Sequence, residues 1–309
     1  MDTSETQGKT YKMTDIRQSK EYANYLASQG WIIERIANTS YFIKKLPIIG
    51  SVLKVQRPNR INFETIKKIE KKYRVFQTII EPDLYCPNSI TKFFDHSLLL
   101  QKGFKLSKSP YLPTKTMQLD LDQTKDQIYR NFSKGCRYSI KRGEGIKIVE
   151  YSTPDQLQKF HEAWKKSVNF NRYVPSLESL LKLKKSFPQS KSLFLASHNK
   201  VGSIIGGAIF TTSSHEISNY ITYREAASSA YYWQGFTNSE GRTSLSQYSL
   251  LYQGILWGKK NGSKVFDLEG IYDERFPQKS WLGFTHFKKQ FGGKEILYPG
   301  CYTRFRFPI

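Results

Sequence analysis

Phe266-Asp267-Leu268-Glu269-Gly270-Ile271 and, a loop later, His286-Phe287-Lys288-Lys289-Gln290-Phe291-Gly292-Gly293 decide how the rest of this chain is read. The first stretch has the run of apolar residues of a buried strand, ending at a glycine. The second has a helical period and delivers a lysine before the stop at Gly292-Gly293. A strand end and a helix face converging on one cleft is a common way for α/β proteins to build a site.

Working outward, the same order of elements occurs twice. Helix signals cover 17–28 and 63–73, and strand signals cover 41–45, 51–56, 75–80 and 117–121. Asn88 can cap a helix running to Gln101, which Gly103 stops. In the second half, 192–197 and 203–212 pair across an Asn199-Lys200 turn, and 217–223 reads as a third strand. A long helix over 244–260, a strand over 265–268, a helix over 280–291 and strands over 295–298 and 302–307 complete the chain. The segment ending in Leu100-Gln101-Lys102-Gly103-Phe104 runs parallel in kind to the one ending in Lys289-Gln290-Phe291-Gly292-Gly293, which points to duplication of one α/β module. Meanders followed by helix–strand units match the N-acetyltransferase (GNAT) architecture. The expected fold class is therefore α/β (α+β), with mixed, largely antiparallel central sheets flanked by helices. The expected divisions are a disordered 1–12, a first domain over 13–147 and a second over 148–298.

Between the modules, 124–147 reads as one helix. Arg130, Lys134, Arg137 and Lys141 would share a face, beside an apolar stripe of Ile128, Phe132, Cys136 and Ile140. Its bases, which include Arg142, are opposed only by Asp126 and Glu144. A solvated helix face or a surface for a phosphate backbone are both open readings.

Charge narrows the partners. Lys and Arg number 48 against 26 Asp and Glu, a net +22, and the excess is spread over both halves. A folded surface with such a field favours polyanions. No apolar run is long enough to span a bilayer, and the polar N-terminus lacks the order of a signal peptide, so the expected location is the cytoplasm. Cys86, Cys136 and Cys301 stand far apart, and the five histidines share no metal-ligand spacing with them, so no metal site is expected. Nucleophile elbows, P-loops and zinc-protease motifs do not occur. The stretch 236–244, where a coenzyme A pyrophosphate loop would lie, holds a single glycine next to Glu240 and makes a poor anion nest.

The opening stretches resemble the C-terminal signature of the FemABX family, which has aromatic-Asp-Leu-Gly-Gly-Ile and then aromatic-Phe-Lys-x-x-Phe. Glu269 replaces the first glycine of that pair. The resemblance extends from about Trp31 to Phe291. It takes in the strand leading to Arg57-Pro58, which lacks the glycine often found between them. It also includes the strand ending in Glu81-Pro82, the basic segment 131–148 and the aromatic strand around Tyr220.

The resemblance implies tandem GNAT-like domains, with 299–309 returning to complete the first, and transfer of an aminoacyl group from charged tRNA to an amine of a muropeptide stem, without cofactor. It places Lys288, after Phe287, where a lysine assists transfer, on a helix that buries Phe284, Phe287 and Phe291 and turns Lys288 toward one edge of the cleft; without the resemblance the default is a solvent-facing lysine of an amphipathic helix. Arg35 would meet a phosphate of the precursor. Tyr220, Tyr223 and Phe266 would line the acceptor pocket, and Asp267 and Glu269 are candidate proton acceptors. Arg130, Lys134, Arg137, Lys141 and Arg142 would hold the tRNA. The implied partners are aminoacyl-tRNA and a nucleotide- or lipid-linked muropeptide, with peripheral contact at the inner membrane face, for a monomer. A coenzyme A-dependent GNAT acyltransferase and a non-enzymatic RNA-binding protein remain as alternatives.

Overall fold

A computed structural model describes residues 12–13, 15–58, 60–83, 90–168, 173–188, 190–213 and 226–306. The N-terminal residues 1–11, Cys86, Asn88 and the strand expected over 217–223 lie outside the described residues. So do Tyr220 and Tyr223.

The chain opens with β1 (Lys12–Met13), a 3-10 turn (Ile16–Gln18) and α1 (Lys20–Ser28), capped by the Ser19 hydroxyl. A meander of β2 (Ile32–Ile36), β3 (Thr39–Leu46) and β4 (Gly50–Gln56) follows. Next come α2 (Phe63–Lys72), β5 (Val75–Glu81), α3 (Ile90–Gln101), β6 (Lys105–Leu106) and β7 (Lys115–Asp120). In α2, the Asn62 side chain caps the start while Ile66 and Ile69 are buried between exposed lysines. Two short helices, α4 (Lys125–Arg130) and α5 (Lys134–Arg142), lead to β8 (Lys147–Glu150), α6 (Pro154–Ser167) and α7 (Leu177–Ser186). The second meander comprises β9 (Ser192–His198), β10 (Ile204–Thr212) and, after β11 (Ala226–Ala227), β12 (Ser229–Thr237). The chain ends with α8 (Ser239–Thr243), α9 (Ser246–Lys260), β13 (Val265–Gly270), a 3-10 turn (Lys279–Trp281), α10 (Leu282–Lys289), β14 (Lys294–Leu297) and β15 (Tyr302–Phe305).

The two main sheets have strand orders β2-β3-β4-β5-β15-β6 and β8-β9-β10-β12-β13-β7-β14. Counted from their last strands they follow one plan. Each has an antiparallel meander, one parallel pair (β4–β5 or β12–β13) and two further antiparallel pairings. In each sheet the next-to-last position is filled from the other half of the chain. The C-terminal β15 enters the first sheet, and β7 enters the second. The strand expected over 117–121 in the first domain therefore belongs to the second sheet. Its apolar alternation fixes a buried face without saying which sheet receives it.

One core cluster packs α5 and α9 on one face of the second sheet, around Phe132, Phe210, Leu250, Ile255 and Phe266. A second joins the halves: Ile16, Tyr22 and Phe42 meet Phe160, Trp164, Phe194 and Phe236. The helices α6 and α7 that help cover this face follow side-chain N-caps, a Thr153–Gln156 capping box before α6 and Ser176 before α7. The third cluster packs α2 and α3 on the first sheet.

The segment 124–147 is not one helix. Ser133 accepts a hydrogen bond from the Cys136 N–H and starts α5 afresh, so Arg130 lies on a different helix from Lys134, Arg137 and Lys141. Ile128, Phe132, Cys136 and Ile140 are all buried.

Candidate active site

The parallel strands β12 and β13 pair only over Ser229–Tyr231 and Val265–Asp267. Beyond that point β12 stays with β10 as far as Thr237, while β13 shifts register and leans on β7 at Thr116. The strands part, and the split collects charged groups. In the first sheet the equivalent pair, β4–β5, remains together through Gln56 and Glu81. The duplication thus leaves an opening in the second sheet.

On β13 the side chains alternate. Phe266 and Leu268 enter the core, which places Phe266 against Phe210 rather than in a pocket. Asp267 faces the other way and is 3 % exposed. Its carboxylate accepts hydrogen bonds from Gln118 Nε2 (2.9 Å), Thr116 Oγ1 (3.3 Å) and the Glu269 N–H (2.7 Å). Burial, and then the neighbouring Glu269 carboxylate, push its pKa above the ordinary carboxylate range, while Gln118, the Glu269 N–H and Arg17 pull it back.

Glu269 occupies the left-handed region, with φ +61°. A side chain there costs about 1–3 kcal/mol, and glycine carries no such cost. Its carboxylate lies 2.7 Å from the Arg17 guanidinium, whose other arm is 3.3 Å from Asp15. Arg17 is buried, lying over the Tyr231 and Trp233 rings at 5.9 and 5.7 Å. Ile16, next to it, is fully buried and donates its N–H to the Tyr231 hydroxyl. The segment around Arg17 therefore fills one side of the split.

Lys288 enters from α10. The buried positions of that helix are Thr285 and Lys288. Phe284 and Phe287 are half-buried, so the lysine lies on the inner face and not at the solvent-facing position of a simple amphipathic helix. Phe287 packs edge-on against Tyr248 at 4.8 Å and Phe291 at 5.5 Å, anchoring the helix beside the lysine. Lys288 Nζ donates to the Gly270 carbonyl at 2.6 Å and sits 5.8 Å from the Tyr232 ring centre. Burial lowers its pKa to about 8 against the opposing pull of Glu269 and Asp267.

Two glycines make this approach feasible. A Cβ on Gly270 would fall 2.4 Å from Trp281, so only glycine lets the 3-10 turn close over the strand end. Gly293, at φ +98°, would place a Cβ 2.4 Å from the Gln118 carbonyl, so the stop after α10 also requires glycine.

Arg57 closes the cluster from the first half. It is buried at φ +51°, lies 3.6 Å from the Tyr298 ring centre, and donates to the carbonyls of Pro82 and Pro113. Asp15, Arg17, Arg57, Tyr231 and Tyr298 are absent from the sequence-derived set. The available signal was indirect: Glu269 falls where the compared signature has glycine, and Arg57-Pro58 lacks the glycine often found between them.

The other expected residues lie elsewhere. Arg35 is on β2 at the edge of the first sheet, donating to the Gln18 carbonyl (3.0 Å) and Ser40 Oγ (3.3 Å). Arg130, Lys134, Lys141 and Arg142 are exposed. Arg137 instead turns back to the carbonyls of Arg130 and Phe132, bridging the break between α4 and α5. In 236–244, the Asn238 side chain accepts from the Gly241 N–H at 2.8 Å, so the donor of that turn is already engaged. Surface recesses of about 340 Å³ (Lys147, Tyr151, Lys159, His198) and 330 Å³ (Phe63, Lys67, Glu70, Arg304) lie outside this cluster. The split itself is filled by Arg17 and Lys288. Among the described residues no cluster could hold a metal ion, and no helix is long and apolar enough to cross a membrane.

No family model matches the sequence, and no curated protein matches it. Solved structures do match. The crystal structure of FemX aligns with TM-score 0.74 at 14% identity, over 96% of this chain and 94% of that one. L-PGS from Bacillus licheniformis gives 0.54 at 13% identity, over 92% and 87%. A tandem GNAT protein from the clavulanic acid biosynthesis pathway gives 0.54 at 10% identity, over 88% and 81%. The chain has a tandem GNAT-like fold of the FemX type.

Proposed function

We propose that this protein is an acyltransferase that moves an aminoacyl group from charged tRNA to an amine of a peptidoglycan-precursor stem peptide. The observation that carries the reading is Lys288. A lysine is held on the inner face of α10, in the split of the second sheet, within a FemX-type fold that spans nearly the whole chain. On this reading the acceptor amine attacks the ester carbonyl. The resulting oxyanion is stabilised by the Lys288 ammonium. The C–O bond to the tRNA ribose then breaks, and the proton shed by the amine nitrogen ends on the ribose hydroxyl. The donor ester supplies the activation. Asp267 and Glu269 hold the strand end and oppose the loss of charge on Lys288. Arg35, at the sheet edge, is the residue we assign to a precursor phosphate, with its guanidinium positioned by the Gln18 carbonyl and Ser40.

The test combines the protein with a pool of charged tRNAs and a soluble nucleotide-linked muropeptide, with mass spectrometry of the product. A mass increase of one aminoacyl residue supports the reading. RNA binding without product supports a non-enzymatic RNA-binding protein. A large thermal shift with acetyl-CoA supports a coenzyme A-dependent enzyme.

The tRNA surface has its own expected result. Replacing Arg130, Lys134, Lys141 and Arg142 with glutamine, leaving the structural Arg137, should weaken tRNA binding. Its salt slope should flatten by about 0.7–0.9 for each phosphate that is no longer neutralised. Stability should move by about 0.5 kcal/mol or less, since all four are exposed. An unchanged slope in the folded variant would remove this surface from the interaction.

A further inference from the structure

The turn between β3 and β4 presents Ile48 fully exposed and Ile49 half exposed at its tip. Ile48 has φ +72°. A β-branched residue in the left-handed region is strained, and the full exposure of this one leaves no internal packing to offset the strain. Isolated exposed apolar side chains are ordinary on a protein surface. Here a third large one, Phe305, lies at the same end of the sheet and is 68% exposed. Strand register fixes that placement. Ser51 pairs with Val75 and donates to the Arg74 carbonyl, while the Arg306 N–H donates to the Phe76 carbonyl.

The apolar tip is ringed by base. Lys45, Lys71 and Arg74 are exposed at this end and have no carboxylate partner among the described residues. The nearby acids are already engaged: Glu34 by Lys72 and Tyr73, and the buried Glu70 by Arg304 and Arg306.

We infer that this end of the first sheet, with Ile48 and Ile49 at its tip and Lys45, Lys71 and Arg74 around them, docks on an anionic lipid bilayer. Protruding isoleucines suit the boundary between headgroups and acyl chains, and lysines just behind them meet lipid phosphates. A nucleic acid would use the bases and leave the isoleucines in water. The tip and the active-site cluster are at opposite ends of β4 and β5, separated by the 7 residues of β5, or roughly 20 Å of strand. Docking there leaves the split unobstructed.

The experiment is flotation of the full chain with two kinds of vesicle, phosphatidylcholine alone and an equimolar mixture of phosphatidylcholine and phosphatidylglycerol. The chain should float with the mixture and stay behind with phosphatidylcholine. Ile48→Gly/Ile49→Ser should reduce the bound fraction at least about tenfold, as the loss of apolar insertion predicts. Lys71→Gln/Arg74→Gln should reduce it by a similar factor, as weaker surface attraction predicts. The melting temperature of the isoleucine variant should be unchanged or higher, because glycine accepts the left-handed turn. Absence of flotation, equal flotation with both vesicles, or undiminished flotation of the isoleucine variant would overturn the assignment. So would an equal loss of affinity for RNA in that variant, which would mark a nucleic-acid surface. Flotation needs neither acyl donor nor acceptor, so its outcome is independent of the proposed reaction.

Discussion

Lys288→Met should lower the rate of aminoacyl transfer by about 10²–10³, the usual cost of losing a group that stabilises an oxyanion. Methionine keeps the length and helix propensity of lysine and suits a buried position, so α10 should persist. The Gly270 carbonyl loses its donor, which costs about 1–3 kcal/mol of stability if no water replaces it. Lys289→Met is the control. Lys289 is exposed and paired with Glu295 at 2.7 Å, so its loss should leave the rate within about twofold and stability within about 1 kcal/mol. The pH profile separates charge from base chemistry. With a pKa of about 8, Lys288 is mostly ammonium at neutral pH and loses that charge as pH rises through 8. An electrostatic role predicts a rate that falls above pH 8. A role as proton acceptor predicts a rate that climbs over the same interval. The falling limb should vanish in Lys288→Met. Equal losses in the two variants, or wild-type rates without Lys288, would sink the assignment.

How much of this was legible in the sequence depends on whether a pattern is local. The helical period of 63–73, the strand at 75–80 and the glycine stops at Gly103 and Gly292-Gly293 were readable because each is set by near neighbours. The duplicated order was also readable, and the two sheets share one plan. The exchange of β7 and β15 was only half visible. The return of the last strand to the first domain came with the family resemblance, whereas the crossing of 117–121 left no mark, since an alternating strand is the same sequence in either sheet. The break inside 124–147 was marked by Ser133, a good N-cap, and was masked by bases at helical spacing that continue across it. The helices over Pro154–Ser167 and Leu177–Ser186 went unread despite their capping serine and threonine residues.

The candidate site was legible at its strand and helix, and hidden at its third component. Arg17 is separated from Glu269 by most of the chain, and no local period links an N-terminal turn to a strand end. The clue lay in a departure from pattern: glutamate at a position that the backbone holds at φ +61°. A side chain tolerated at such a position needs a compensating interaction, and Arg17 supplies it. The inner position of Lys288 is not set by the residue pattern alone, for a related reason. A charged residue on a helix is normally outside, and only tertiary partners make an inner position tenable.

The Arg17–Glu269 pair should carry the largest stability effect in the molecule. Arg17→Met should destabilise by about 3–5 kcal/mol, because it leaves the nearly buried Glu269 carboxylate without its cation and Asp15 with Arg57 alone, at 4.0 Å. Glu269→Gly should cost less. It relieves the left-handed strain, about 1–3 kcal/mol, while Arg17 keeps Asp15 as a partner. The double variant removes both charges of the Glu269 pair and relaxes the backbone, so it should be more stable than Arg17→Met alone. The coupling between the two sites should reach about 2–3 kcal/mol, well beyond the additivity expected of independent positions. Urea unfolding of the four proteins at neutral pH measures it directly, provided the slopes agree. Additive effects within about 0.5 kcal/mol would show that the pair is incidental and that another interaction sustains the conformation of Glu269. A coupled result would mean that the glutamate at this position is maintained by an N-terminal segment built into the split, so truncation through Arg17 should lower stability at least as much as Arg17→Met.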